Sequence, residues 1–237
     1  DFNCQLRDLV EAILRETDVQ RLRLSSLEPW DLDAGFFSLW AISERSRRER
    51  LMPHLHLPLQ SGSESTLRRM ARKTTPQSFR ELIATARAAI PGVAITTDII
   101  AGFPGETDDE FAETLDFVNE MQFSGGHVFS YSPRPGTGAG RMKGQVKPEL
   151  RKKRNRILQE ALEESAKSYR EKFIGQTMSV LWESASEYGA PGWRMEGWTG
   201  NYLRVSAFAP SPRWNEMDEV VLASEGDGTV SGVIVSA

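Results

Sequence analysis

Polar side chains close two of the apolar runs in this sequence, where they could bind a small molecule. Gln60 and Ser61 end the run HLHLPLQ, and an amide beside a hydroxyl can hydrogen-bond a ribose or an amino-acid group. Asp98 interrupts the run VAITTDII, and a carboxylate in a buried strand needs a partner or a ligand. The sequence predicts a ligand site at these three residues, although a helix cap alone also explains Ser61.

The string GFPGET, from Gly102 to Thr107, follows the same run and precedes a helical pattern. Glycines let a ligand approach the backbone, and a helix start offers free N–H groups to a polar ligand. A tight strand-to-helix turn explains the string equally well. Phosphate binding is disfavoured because the string lacks the lysine of a phosphate-binding loop.

Two histidines, His54 and His56, alternate with leucines and therefore point to one side of their strand. They could form a metal pair or a pair of hydrogen-bonded interior side chains. The second interpretation is favoured because no acidic or cysteine partner stands at ligand spacing. We assign no metal ligand and no catalytic residue from the sequence.

Basic residues suited to phosphates occur in two places. Arg134 lies in the stiff loop YSPRPGT, and Lys152 and Arg154 belong to the basic segment KPELRKKRNR. Both patterns predict contacts with nucleic acid or another anion. The alternatives are a surface turn for the loop and a solvated helix face for the segment.

Composition limits the class of protein. The chain has 237 residues, a net charge of −4 and one cysteine, Cys4. One cysteine excludes an internal disulfide framework and favours a reducing, cytoplasmic location, with Cys4 as a thiol without a ligand role. No apolar stretch reaches the roughly 20 residues that cross a bilayer, so we expect no membrane partner. The chain starts with Asp1, which we interpret as a sign of truncation.

Hydrophobic periodicity predicts an α/β fold up to about residue 140. Four β-type runs alternate with amphipathic helices, as in a parallel sheet, and they are Arg21 to Ser26, His54 to Gln60, Val93 to Ile100 and Gly126 to Ser132. Capping boxes at Ser61 to Glu64 and Thr107 to Glu110 predict two helix starts. The carboxyl ends of parallel strands share one edge, so the polar residues named above should meet there.

The rest of the chain has a different pattern. A helical stretch without internal glycine or proline predicts a linker helix over residues 148–173. Five short alternating runs then predict a small antiparallel barrel of the oligonucleotide-binding type over residues 174–237. The predicted domains are therefore 1–147, 148–173 and 174–237.

In this order, the strings SSLEP, HLHLPLQSGS, DIIAGFPGET and FSYSPRPGT resemble the later barrel strands of radical-SAM tRNA methylthiotransferases. GWTGNYLRV, which contains Asn201 and Tyr202, is similar to the core of their RNA-binding TRAM module. The resemblance implies the last four strands of a radical-SAM (β/α)6-type barrel, followed by an OB-like TRAM barrel in which Asn201 and Tyr202 contact RNA.

The resemblance also implies cofactors. S-adenosylmethionine would lie across the strand ends, held by Gln60, Ser61 and Asp98, with Ile100, Gly102 and Phe103 beside its adenine. Two [4Fe-4S] clusters would serve the reaction, one generating a radical that activates C2 of adenine and one delivering sulfur. The chain has no CxxxCxxC loop to hold such a cluster, so we expect it to be inactive alone.

The substrate implied is the anticodon loop of tRNA, with no DNA partner. VFSYSPRPGT resembles the branch that adds a methylthio group to C2 of N6-threonylcarbamoyladenosine at position 37. The branch that modifies N6-isopentenyladenosine is an alternative, as is a non-catalytic RNA-binding scaffold. Arg134 resembles the tRNA-modifying branches rather than the branch that modifies a ribosomal protein.

Overall fold

The computed structural model describes residues 5–41, 49–187, 189 and 192–235. The chain divides into two compact units, Asp1–Leu162 and Glu163–Ala237. Cys4 lies outside the described residues. Within them, no helix is both long enough and apolar enough to cross a membrane.

The first unit alternates helices and strands, with two short 3-10 turns at Pro29–Asp31 and Ser38–Ala41. Its elements in chain order are α1 (Leu6–Glu16), α2 (Ala34–Phe37), β1 (His54–His56), α3 (Glu64–Arg69), α4 (Pro76–Ala89), β2 (Ala94–Ala101), α5 (Asp108–Met121), β3 (Gly125–Ser130), α6 (Gly138–Arg141) and the first part of α7 (Pro148–Glu171).

The three strands form a parallel sheet in the order β1-β2-β3, as the alternating pattern predicts. Helices α4 and α5 place apolar residues in a common core with β2. Phe79 of α4 lies 6.2 Å, between ring centroids, from both Phe117 of α5 and Phe123. Ile99 of β2 is fully buried in the same core. This packing holds the carboxyl ends of β2 and β3 side by side.

Strand β1 is shorter than predicted because Pro58 has no N–H to donate to the sheet. The Thr97 hydroxyl of β2 replaces the missing pairing. It donates to Leu57 O over 2.8 Å and accepts from Leu59 N over 3.1 Å. The segment then rejoins β2 at Gln60, which forms an isolated bridge with Ile99.

The predicted strand from Arg21 to Ser26 is wrong. This segment runs beside β1, but it makes only an isolated bridge, between Leu22 and Leu51, and a later contact from Leu27 N to His56 O of 3.0 Å. Ser26 has a φ of 57°, a left-handed conformation that interrupts an extended chain. The described part of this sheet therefore has three strands, not four.

One of the two predicted capping boxes is present. Thr107 Oγ1 accepts from Glu110 N over 3.2 Å, and Thr107 N donates to Glu110 Oε2 over 3.0 Å. The box at Ser61 is wrong, because α3 begins at Glu64 after Ser63, which makes no side-chain cap bond.

Helix α7, predicted as a linker, belongs partly to each unit. Leu158 and Leu162 are buried in the core of the first unit. The boundary between the compact units falls directly after Leu162, inside this helix, rather than at its two ends.

The second unit contains a closed five-stranded barrel in the order β4-β5-β6-β8-β7. Its strands are β4 (Thr177–Glu187), β5 (Trp193–Thr199), β6 (Arg204–Ala209), β7 (Met217–Gly226) and β8 (Thr229–Ile234). Four pairings are antiparallel, but β6 and β8 pair in parallel, contrary to a purely antiparallel barrel. An odd number of strands cannot alternate direction around a closed ring, so one parallel pairing is unavoidable. Trp182 fills the interior.

Candidate functional site

A cavity of about 470 Å³ opens at the carboxyl edge of the sheet, in the first unit. It contains three of the predicted cofactor residues, Gln60, Asp98 and Ile100, together with Arg134 from the predicted substrate set. The other lining residues are Phe129, Ser130, Tyr131, Ser132, Thr137 and Ala139. The structure therefore brings the ends of the three strands to one cavity.

Backbone hydrogen bonds that continue past the strands hold the walls of this cavity. Gln60 N donates to Asp98 O over 2.8 Å, and Ile100 N donates to Gln60 O over 2.9 Å. Gln60 has a φ of 70°, so the chain turns sharply at this point. On the other side, Tyr131 N donates to Ala101 O over 2.9 Å.

Two polar atoms at the cavity lack hydrogen-bond partners within the described residues. They are Asp98 Oδ1 and the Tyr131 hydroxyl, and both are buried. The other carboxylate oxygen, Asp98 Oδ2, lies 3.4 Å from His56 Nε2. Buried polar atoms are nearly always satisfied in folded proteins, so these two atoms indicate a bound water or another polar group beyond the described residues.

The two histidines are hydrogen-bonded interior side chains, as predicted. His54 Nε2 and His56 Nδ1 each lie 3.0 Å from Thr96 Oγ1 of β2. Burial lowers the pKa of His54 to about 3, and the charge of Arg23 adds to this effect, with a further electrostatic contribution from the neighbouring His56. His54 is therefore neutral at physiological pH. The described residues contain no group of three side chains able to hold a metal ion.

Ser61 does not face the cavity. Its side chain is buried, and its Oγ lies 3.0 Å from Thr114 Oγ1 of α5. Ser61 Oγ also accepts from Ser63 N over 3.2 Å. The hydroxyl joins the turn to α5, so the prediction that Ser61 contacts the cofactor is not supported by its position.

The N–H of Gly102 serves the tight turn. Its N–H donates to both carboxylate oxygens of Glu106, at 3.1 and 3.2 Å, so this donor is already used. Gly102 has a φ of 75°, and a side chain here would collide with Arg151. Phe103 is also buried outside the cavity lining, where its ring packs edge-on against Tyr131 at 5.4 Å.

Arg154 lies inside the first unit instead of on its surface. Its Nη1 donates to Glu106 Oε1 over 2.7 Å, and its Nη2 donates to Asp108 Oδ1 over 2.6 Å. Burial raises the pKa of Glu106, while the charge of Arg154 opposes that rise. Because Arg154 is only 3 % exposed, it cannot reach a phosphate, and that prediction is wrong. Lys152, two residues earlier, is exposed.

Asn201 is a structural residue of the barrel. Its Oδ1 accepts from Thr199 Oγ1 over 2.6 Å, and its Nδ2 donates to the Tyr169 hydroxyl over 3.0 Å. It is 2 % exposed, so its predicted contact with RNA is wrong. Tyr202 is partly exposed and stacks on Trp198, with ring centroids 4.5 Å apart and planes 17° apart.

Phe129 and Ser130 line the cavity, but our sequence interpretation assigned them no role. The only signal that could have found them is their position at the end of a predicted strand.

The partner of Asp98, His56, was missed for another reason. His56 precedes Asp98 by 42 residues, and only the β1–β2 pairing brings them together.

Comparison with known proteins places these features in a family. A family model described as the Radical SAM superfamily matches residues 38–118. A tRNA-2-methylthio-N(6)-dimethylallyladenosine synthase of Geobacillus kaustophilus is 36% identical over 236 residues, which is 100% of this chain and 43% of that protein. The threonylcarbamoyladenosine tRNA methylthiotransferase MtaB of Bacillus subtilis is 37% identical over 197 residues, or 83% of this chain and 43% of that protein. Over its whole length, the chain is similar to tRNA methylthiotransferases, and residues 38–118 match the Radical SAM superfamily.

The chain spans less than half the length of those two relatives. Among solved structures, it is similar to the radical-SAM coproporphyrinogen III oxidase of Escherichia coli, with a TM-score of 0.44 and 19% identity. That match covers 66% of this chain and 34% of the oxidase.

The family implies S-adenosylmethionine and [4Fe-4S] clusters, and the residues present fit only the first. The Asp98 carboxylate and the Gln60 amide line the cavity and could accept hydrogen bonds from the ammonium or hydroxyl groups of S-adenosylmethionine. A [4Fe-4S] cluster is normally held by several cysteine thiolates, and this chain contains one cysteine. No step through a cluster is therefore assigned to its residues.

Proposed function

We propose that this chain forms the S-adenosylmethionine-binding edge of an enzyme that adds a methylthio group to C2 of an adenosine in tRNA. The observation that carries the proposal is the cavity at the carboxyl edge of the sheet, which the Asp98 carboxylate and Gln60 line. Ligands of parallel α/β sheets gather at this edge. The family of the chain supplies the class of reaction.

In this proposal the cavity residues bind and orient the cofactor. The Asp98 carboxylate accepts hydrogen bonds from ammonium or ribose hydroxyl groups, and the Gln60 amide offers a further acceptor. Ile100 provides an apolar surface for the adenine. When bound, S-adenosylmethionine supplies the radical chemistry of the reaction. The protein orients it and limits the access of water.

The proposed partner is the anticodon loop of tRNA. Arg134 is exposed and lines the cavity, so it can contact a phosphate next to the base that enters. Lys152 is exposed for a second phosphate contact. In the barrel, the Trp198–Tyr202 stack presents aromatic surface suited to an unpaired base.

The first candidate nucleoside is N6-threonylcarbamoyladenosine at position 37. It is supported by the string VFSYSPRPGT, which spans part of β3 and the cavity loop. N6-isopentenyladenosine is the second candidate. The relative from Geobacillus kaustophilus that aligns with all of this chain is named for the dimethylallyl nucleoside.

Mass spectrometry of tRNA nucleosides tests the proposal. Cells with the intact gene are compared with cells in which it is disrupted. Loss of methylthio-threonylcarbamoyladenosine supports the first candidate, and loss of methylthio-isopentenyladenosine supports the second. A non-catalytic RNA-binding scaffold would leave both nucleosides unchanged, and that result would overturn the proposal.

A further inference from the structure

Four polar side chains form a continuous line from the cavity into the sheet. Asp98 Oδ2 lies 3.4 Å from His56 Nε2, and His56 Nδ1 lies 3.0 Å from Thr96 Oγ1. Thr96 Oγ1 lies 3.0 Å from His54 Nε2. The β1–β2 register, in which His54 pairs with Ala94 and His56 with Thr96, brings these side chains together.

The direction of the two hydrogen bonds at Thr96 follows from the chemistry of the four side chains, with His56 Nε2 and Asp98 Oδ2 in a charge contact at 3.4 Å. A carboxylate only accepts, so Asp98 Oδ2 favours a proton on His56 Nε2. A neutral His56 then has no proton on Nδ1, which accepts from the Thr96 hydroxyl. That hydroxyl has one hydrogen, so it must accept from His54 Nε2–H. Both rings should therefore be Nε2–H tautomers.

The opposite direction of the two hydrogen bonds at Thr96 is unfavourable when both histidine rings are neutral. If His56 carried its proton on Nδ1, the lone pair of Nε2 would face the Asp98 carboxylate. The charged groups that face the two rings are Asp98 beside His56 and Arg23 beside His54. Asp98 favours the arrangement with the proton on His56 Nε2, and Arg23 disfavours a positive charge on His54.

We propose that His56 is a positioning residue, which holds the Asp98 carboxylate at the cavity, where it accepts one hydrogen bond from a donor group of the ligand. Thr96 and His54 act through His56, because they fix its tautomer. His56 does not touch the ligand in this arrangement. The inference rests on the proposed function, because it assigns the Asp98 carboxylate to an ammonium or ribose hydroxyl group of S-adenosylmethionine.

The ligand-free 237-residue chain provides the first test. It contains three histidines, His54, His56 and His127, so a long-range proton–nitrogen NMR spectrum can be assigned with single substitutions. We expect His54 and His56 to be Nε2–H tautomers. Substitution of Thr96 by Val, which removes the shared hydroxyl, should shift the Nδ1 signal of His56. An Nδ1–H tautomer at His56 in the unsubstituted chain would overturn the inference.

Calorimetric titration with S-adenosylmethionine provides the second test, with two matched variants. His56→Gln places an amide N–H near the position of Nε2 and should keep the affinity within about threefold. His56→Asn keeps only the contact near Thr96 and should weaken binding by about tenfold, as expected for a hydrogen bond to a charged group. Equal affinities of the Asn variant and the unsubstituted chain would contradict a positioning role.

Thermal unfolding separates this effect from misfolding. Both His56 variants should keep a cooperative transition, and affinities are compared only between chains that do. If the unsubstituted chain fails to bind S-adenosylmethionine, the cofactor assignment of the proposed function fails. The tautomers of the ligand-free chain still decide whether His56 and Thr96 orient Asp98.

Discussion

Arg154 Nη1 donates to Glu106 Oε1 over 2.7 Å, and both side chains are only 3% exposed. Glu106 also accepts from Gly102 N, so the turn after β2 is tied to helix α7 through one carboxylate. This ion pair consists of two residue types that are seldom fully buried unless they are paired. Its loss should therefore affect the fold before it affects binding.

Arg154→Met should lower the free energy of unfolding by about 3–5 kcal/mol, because it leaves the buried Glu106 carboxylate without its ionic partner. Lys152→Met is the matched control, since Lys152 is exposed on the same helix, and it should change stability by less than about 0.5 kcal/mol. Urea unfolding measures both variants. Equal free energies of unfolding for the two variants would show that the ion pair between Arg154 and Glu106 does not stabilise the fold.

His54 should make stability depend on pH. The pKa of His54 is lowered to about 3 in the folded chain, whereas an unfolded histidine titrates near its ordinary value of 6.5. The unfolded chain therefore binds the additional proton between these values. The contribution of neutral His54 is complete above pH 6.5 and is lost as the pH falls toward 3, at roughly 1.4 kcal/mol per pH unit.

The control for this prediction is His54→Gln, which keeps a polar group near the position of Nε2 but does not titrate. Its free energy of unfolding should fall less steeply than that of the unsubstituted chain between pH 6 and 4, as measured by urea unfolding at each pH. If the free energies of unfolding of both chains fall in parallel with pH, the titration of His54 does not cause the pH dependence.

Thr97→Val should destabilise the first unit by about 2 kcal/mol. The Thr97 hydroxyl donates to Leu57 O and accepts from Leu59 N on both sides of Pro58, so an isosteric methyl group leaves two buried backbone groups unsatisfied. Thr85→Val on the exposed face of α4 removes a hydroxyl that bonds only Glu81 O, and should cost much less. Chemical denaturation compares the two, and a similar cost at both positions would refute the bridging role.

Arg134→Glu should weaken binding of tRNA at least about tenfold, because it replaces a phosphate donor at the cavity with a repelling charge. Arg68→Glu makes the same charge change on an exposed residue of α3 that does not line the cavity. Filter binding at one fixed salt concentration measures both. If the two variants weaken tRNA binding equally, the loss of affinity comes from the change in net charge, and Arg134 makes no specific contact with tRNA.

Local patterns in the sequence were enough to predict most of the elements. Alternation predicted β2 and β3 and the five runs of the barrel, and the Thr107 to Glu110 pattern predicted the start of α5. The parallel order of the sheet also placed Gln60 and Asp98 at one edge. These features depend on neighbours in the chain or on the common geometry of parallel strands.

The errors concern residues whose surroundings come from distant parts of the chain. A basic run predicts a charged helix, but it does not tell which arginine turns inward, and Glu106 decides this for Arg154. In the same way, Ser61 has the sequence of a cap, yet Thr114 of α5 is its partner.

The sequence alone carried the resemblance to a family through its motif strings. It also determined the alternation of helices and strands and the polar residues available at the strand ends, because these follow from residue type and spacing. Tertiary structure decided which of those residues share a cavity and which are used in the core. Side chains such as Asp98, Arg154 and Asn201 can serve either purpose. The choice depends on partners that only the packing of distant segments brings within hydrogen-bonding distance.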